Sequence, residues 1–119
     1  MLLWIDDVRP APEGYVWCKS VNEAESIILA YECYVNGSLD ELDFEWLDYI
    51  GVNDTGTIEL IDCDHDAGDF VCDGGDYIRL LDWLEETGRN YPIRIHSANA
   101  VGVANMRRII ERNGWKEVF

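Results

Sequence analysis

Short apolar runs alternate along this chain with longer stretches of helical period. Leu2 to Ile5 is apolar throughout and stops at Asp6-Asp7, as a buried parallel strand does when both its faces are covered. The following Arg9-Pro10-Ala11-Pro12-Glu13-Gly14 holds two prolines and a glycine and predicts a loop. Residues 15–19, aromatic and β-branched, predict a second strand. Ser20-Val21-Asn22-Glu23 fits a capping box. Val21, Ala24, Ile27, Ile28, Tyr31 and Val35 then recur at helical spacing up to Gly37, a natural stop. Ser38-Leu39-Asp40-Glu41 repeats the capping pattern. Leu39, Leu42, Trp46, Leu47 and Ile50 predict a second, short helix over 39–50, whose outer face is acidic through Asp40, Glu41, Glu45 and Asp48.

Residues 57–63 predict the third strand, and 67–75 a loop rich in Gly and Asp. Residues 76–87 predict a helix with Tyr77, Leu80, Leu81 and Leu84 on one side and Gly88 at its end. Residues 92–95 form the fourth strand, 101–113 a helix stopped by Gly114, and 115–119 a fifth strand. Strands alternating with helices imply an α/β fold. The expectation is one domain over 1–119, a doubly wound, five-stranded parallel sheet of receiver or flavodoxin-like type. The short acidic helix before strand 3 is an addition to that plan. In such folds ligands bind beyond the carboxyl ends of the strands. Three polar clusters sit at those ends: Asp6-Asp7, Asp64-His65-Asp66 and His96-Ser97-Asn99.

Composition narrows the function. The 119 residues carry a net charge of -15. Such a surface repels nucleic-acid phosphates, so no extended nucleic-acid face is expected. A small phosphorylated substrate or an RNA end remains possible if a metal inverts the local field. Cys18, Cys33, Cys63 and Cys72 contain no Cys-x-x-Cys pair, which argues against zinc. Free thiols and the absence of a secretory core predict a cytoplasmic protein. No run approaches the length of a membrane span, so no membrane partner is expected.

The candidate chemistry lies in the carboxylates. Crowded aspartates raise one another's pKa unless a cation or strong donors hold them. Hard oxygen donors suit Mg²⁺ or Mn²⁺, and Asp6, Asp7, Asp64 and Asp66 are the candidate ligands. His65 and His96 are candidate proton carriers, with Asp64 as the third candidate catalytic group. Arg9, Ser97 and Asn99 are candidates to hold phosphate oxygens. Each also has an ordinary structural reading: Asp6 and Asp7 as turn residues, His65 as a structural hydrogen-bond partner and His96 as a satisfied core histidine. Asp62 alternates away from the site or pairs with Arg94 on the neighbouring strand. Asp69, Asp73 and Asp76 are expected to cap the helix that follows them.

These residues resemble the response-regulator receiver fold. Asp6-Asp7 matches its metal-binding acidic pair, Asp64 its phosphoacceptor and Ser97 the hydroxyl that contacts the phosphoryl group. The departures are the proline loop in place of the first helix, and His65-Asp66 directly after the acceptor. The receiver lysine also has no match at the end of strand 5, where only Lys116 occurs, early in the strand. The chain is closer to a receiver-like family that processes cyclic phosphates. The matching motifs are Asp6-Asp7-x-Arg9-x-x-Pro12, Asp64-His65-Asp66-x-Gly68 and His96-Ser97-Ala98-Asn99. The resemblance covers nearly all the chain except about 37–56. It implies a metal-dependent phosphoesterase that opens 2′,3′-cyclic phosphates or acts on terminal phosphates of RNA or nucleotides. The alternatives are a receiver-like phosphoacceptor, or a non-catalytic interaction module that uses the acidic segment 40–54.

Overall fold

The computed structural model describes residues 1–37 and 56–119. The predicted acidic helix, 39–50, lies outside the described residues. Four strands form one parallel sheet in the order β2-β1-β3-β4: β1 Leu2–Ile5, β2 Tyr15–Cys18, β3 Leu60–Cys63 and β4 Ile93–Ile95. The helices are α1 Val21–Val35, α2 Ile78–Glu86 and α3 Ala100–Asn113. A single 3-10 turn, Gly68–Phe70, follows β3.

The expected five strands are four. Residues beyond Gly114 contribute one parallel bridge, Ile93 to Glu117. The cause is the shortness of β4: only Ile93 both donates, to the Lys116 carbonyl, and accepts, from Val118 N–H. The sheet is also not doubly wound among the described residues. The chain passes from β2 over β1 to β3, and from β3 to β4 in the same direction. Right-handed crossovers then place α1 and α2 on one face, and α2 packs against both α1 and α3. The step that would reach the other face, β1 to β2, is the proline loop.

The two faces of the sheet accordingly differ. Leu3, Ile5, Val16, Cys18, Ile61, Cys63 and Ile93 are buried beneath the helices. They pack with Ala24, Ile27, Ile28, Leu80, Leu81, Leu84 and Met106. Strand alternation sends Trp4, Trp17, Asp62 and Arg94 to the opposite face, where they share one register row. All four cysteines are unbridged. Among the described residues no helix is long and apolar enough to cross a membrane.

Local signals explain the element boundaries. Ser20 Oγ accepts from Glu23 N–H at 3.0 Å, closing one arm of the capping box, and Glu23 turns back to Lys19 N–H rather than to Ser20. Gly114, at φ 65°, lets the last carbonyls of α3 be capped. The aspartates before α2 do not cap it, because Tyr77 holds the cap position without a side-chain bond. Asp76 instead accepts from Ala67 N–H at 3.0 Å, and Asp73 accepts from Asn22 at the start of α1. Both brace the loop after β3 against its surroundings.

Candidate functional site

The ladder continues one residue past each strand: Asp6 N–H donates to Cys18, Asp64 N–H to Ile5 and His96 N–H to Cys63. Backbone pairing thus sets Asp6, Asp64 and His96 side by side at the carboxyl edge of the sheet. Two environments meet there.

The first is closed. Asp6 is fully buried. Its Oδ1 accepts from Val8 N–H at 3.0 Å and Arg9 N–H at 2.9 Å, and its Oδ2 lies 2.9 Å from His96 Nε2. The other ring nitrogen, His96 Nδ1, lies 2.6 Å from Oδ1 of Asp62, which is also buried. An ionised carboxylate only accepts, so both ring nitrogens donate. The imidazole crosses over β3 to reach Asp6, and Trp4 stacks on it with centroids 3.8 Å apart and planes 6° from parallel. Burial opposes the charge on His96, but the bonds to Asp62 and Asp6 outweigh it and raise its pKa. Burial likewise opposes ionisation of Asp6. The N–H groups of Arg9 and Val8, with His96, overcome it and lower its pKa.

The second environment is open. Asp6, Asp7 and Asp64 each offer a carboxylate oxygen, and these lie within 4.8 Å of one another. Burial, with the negative charges of Asp6 and Asp64, raises the pKa of Asp7. Among the described residues no lysine or arginine forms an ion pair with Asp7 or Asp64. Among the described residues, Asp64 Oδ1 takes only the N–H of His65, at 2.7 Å. Gly68, at φ 54°, lies directly against the Asp7 carboxylate, and a Cβ there would overlap Asp7 Oδ2.

Beside this cluster, His65 Nδ1 lies 2.9 Å from Asp66 Oδ1. The ring rests on the first turn of α3 at Gly102, where any Cβ would overlap it. Asn99 caps α3 by accepting from Gly102 N–H at 3.0 Å. Its amide nitrogen reaches Asp66 at 3.3 and 3.5 Å and His65 Nδ1 at 3.4 Å. The bond from His65, opposed by some desolvation and helped by Asn99, lowers the pKa of Asp66. Ser97 Oγ accepts from Asn99 N–H at 3.2 Å. Arg9 is exposed, and Nη1 reaches the His96 carbonyl at 3.4 Å.

Residues 1–112 match the family model described as the cyclic-phosphate processing Receiver domain. The chain belongs to this family. No curated protein and no solved structure matches it. All three motifs of this receiver domain lie at the carboxyl edge, and each candidate residue can be located there. Asp6, Asp7 and Asp64 converge, whereas Asp66 turns to His65, with which, together with Asp76, it forms a separate group. His96 has both nitrogens bonded to carboxylates, and Asn99 is committed to the α3 cap and to Asp66. Arg94 lies 4.0 Å from Asp62, but the shorter bond of Asp62 is to His96. Sequence reasoning missed Asp62 as a member of the site, and missed Trp4, Gly68 and Gly102 as its walls. One signal was available for Asp62: in register it faces Arg94, so it shares a face with His96 two residues on.

Proposed function

We propose that this receiver domain is a divalent-metal-dependent phosphoesterase that opens 2′,3′-cyclic phosphates of nucleotides or RNA ends. The observation that carries this reading is the cluster of Asp6, Asp7 and Asp64, in which Asp7 and Asp64 have no basic partner among the described residues, beside an oriented histidine. Its all-oxygen donor set fits a hard cation, Mg²⁺ or Mn²⁺. When bound, such an ion supplies neutralisation of phosphate charge and a water of lowered pKa. The family description, cyclic-phosphate processing, supports the substrate class.

In this reading Asp6, Asp7 and Asp64 hold the cation. His65 is the proton carrier: Asp66 engages Nδ1 and leaves Nε2 without a protein partner among the described residues. His65 Nε2 takes a proton as the water oxygen bonds to phosphorus. It returns a proton as the ring P–O bond breaks, so that one water yields one alcohol and one monoester. Ser97 Oγ, Arg9 and the N-terminal amides of α3 hold phosphate oxygens. Asn99 serves the reaction indirectly, by steadying Asp66. His96 keeps both nitrogens on carboxylates and acts on Asp6 rather than on substrate.

A phosphoacceptor role at Asp64 is the weaker reading. Lys116 donates none of its chemistry here: its carbonyl bonds Ile93 N–H at the amino end of β4, opposite the carboxylates. The test is turnover of 2′,3′-cyclic and 3′,5′-cyclic nucleotides and 2′,3′-cyclic-ended oligonucleotides, with Mn²⁺, Mg²⁺ or chelator. The expected result is metal-dependent ring opening of a 2′,3′-cyclic substrate that Asp64→Asn loses. Absence of turnover with Mn²⁺ demonstrably bound would rule the hydrolase out.

A further inference from the structure

We propose that Asp62, which contributes nothing to the open carboxylate cluster, is a positioning residue that aims Asp6 at the cation by fixing the His96 ring. The inference rests on the metal-binding reading above. Asp62 poses a physical problem by itself. It is a carboxylate in the third position of a four-residue strand and is 3 % exposed. Burying such a charge is costly unless it is paired and hydrogen-bonded. Arg94 is a poor partner, half-exposed and 4.0 Å away. The bond that accounts for Asp62 is the 2.6 Å contact with His96 Nδ1.

That bond sets the rotation of the imidazole, and the Trp4 stack sets its plane. Trp4 is itself tied down, since its Nε1 donates to the Arg9 carbonyl at 2.8 Å. With plane and rotation fixed, His96 Nε2 meets Asp6 Oδ2 at 2.9 Å. Asp6 Oδ1 is already filled by two backbone N–H groups. A carboxylate oxygen carries two lone pairs. Among the described residues Asp6 therefore keeps one lone pair, on Oδ2, that takes no N–H donor, and the Asp7 carboxyl lies against the same side chain. Removing the acceptor at Asp62 frees the ring to turn and Asp6 Oδ2 to move with it. Partners of metal-ligating side chains act in this way.

The experiment uses the full chain and Mn²⁺ alone, titrated by calorimetry and by electron paramagnetic resonance. The folded fraction of each variant is measured in chelator by circular dichroism. Asp62→Leu keeps the approximate volume and removes the acceptor, and Asp62→Asn keeps an acceptor for the ring N–H. The expected result is that Asp62→Leu weakens Mn²⁺ binding about 10-fold while Asp62→Asn stays within about threefold of wild type. Wild-type affinity in Asp62→Leu, or equal losses in both variants, would overturn the proposal while leaving the metal site standing. No Mn²⁺ binding by wild type would overturn the metal reading and this inference together. Should Asp62→Leu not fold, Trp4→Leu removes the stack instead. It is expected to weaken binding about 10-fold, and an affinity within about threefold of wild type would overturn the proposal.

Discussion

On one side of the carboxyl edge, Asp62, His96 and Asp6 form a set in which each buried charge faces an opposite one. On the other, Asp7 and Asp64 stand near Asp6 with no basic side chain to offset them among the described residues. The residue type is the same and Asp6 and Asp7 are consecutive, yet their pKa values move in opposite directions. Strand alternation separates them: Asp6 turns to the Trp4 face and meets His96, while Asp7 turns into the loop region and meets Gly68. The closed side resembles a fold element, stable through what it already contains. The open side holds stress that a cation would relieve. In the proposed reading Asp7 and Asp64 serve the cation alone, Asp62 serves the closed set, and Asp6 belongs to both.

The closed set depends most on His96. His96→Ala removes the cation that offsets the buried Asp6 and Asp62, and a destabilisation of about 3–5 kcal/mol is expected. Urea denaturation in chelator measures it. Asp64→Asn is expected to leave stability in chelator unchanged or raised, because it removes repulsion rather than a bond. A cost at His96 below about 1 kcal/mol would mean that the closed set is not a structural unit.

Two glycines, Gly68 and Gly102, wall the open side against different side chains. Gly68→Ala forces a side chain onto a left-handed backbone, at a cost of about 1 kcal/mol, and drives the Asp7 carboxylate aside. Mn²⁺ affinity should fall at least about 10-fold. Gly102→Ala pushes on His65 instead. It should lower turnover by about 10²-fold while leaving Mn²⁺ affinity near wild type. Equal effects of both variants on metal affinity would contradict the division between cation-holding and proton-carrying residues.

The smallest effect is the pH dependence of stability in chelator. Asp6 has a depressed pKa, so its contribution is present above 3.8 and fades as pH falls through the folded value. His96 has a raised pKa, so its contribution is full below 6.5 and is lost as pH rises through the folded value. Asp7 has a raised pKa and acts oppositely to Asp6, favouring the fold at low pH and losing that advantage as pH rises from 3.8 through the folded value. A melting-temperature profile should therefore peak between the Asp6 and His96 transitions. Asp7→Asn should remove the decline that Asp7 imposes as pH rises above 3.8, leaving a flatter plateau up to the His96 transition. A profile unaltered by Asp7→Asn would show that Asp7 is not strained.

Much of this architecture is legible in the pattern of apolar positions. Of the predicted α1 stripe, Val21, Ala24, Ile27, Ile28 and Tyr31 are buried and Val35, in the last turn, is exposed; the set Tyr77, Leu80, Leu81 and Leu84 is buried. Pairing beyond Gly114 is not legible, because it depends on how many residues β4 can offer. The single helical layer follows from strand order, which periodicity does not encode. At the site, the three motifs mark the correct edge of the sheet. Their division of labour is hidden, because it depends on which neighbour each side chain meets. Arg94 is the obvious partner for Asp62 across the strand pair. His96 takes it instead because Trp4 and Asp6 hold the imidazole on the same face. Asn99 carries a readable signal as the residue just before a helix, a position that draws its oxygen to a backbone N–H. Gly68 and Gly102 look like ordinary loop and helix glycines until the Asp7 and His65 side chains are placed against them.

The most direct test is calorimetric titration of Mn²⁺ into wild type and Asp64→Asn at neutral pH, with melting curves of both in chelator. Saturable binding by wild type, lost in Asp64→Asn while that variant melts at the wild-type temperature or above, is the predicted result. Equal binding by the two proteins, or none by either, would contradict the claim that the open carboxylates are a cation site.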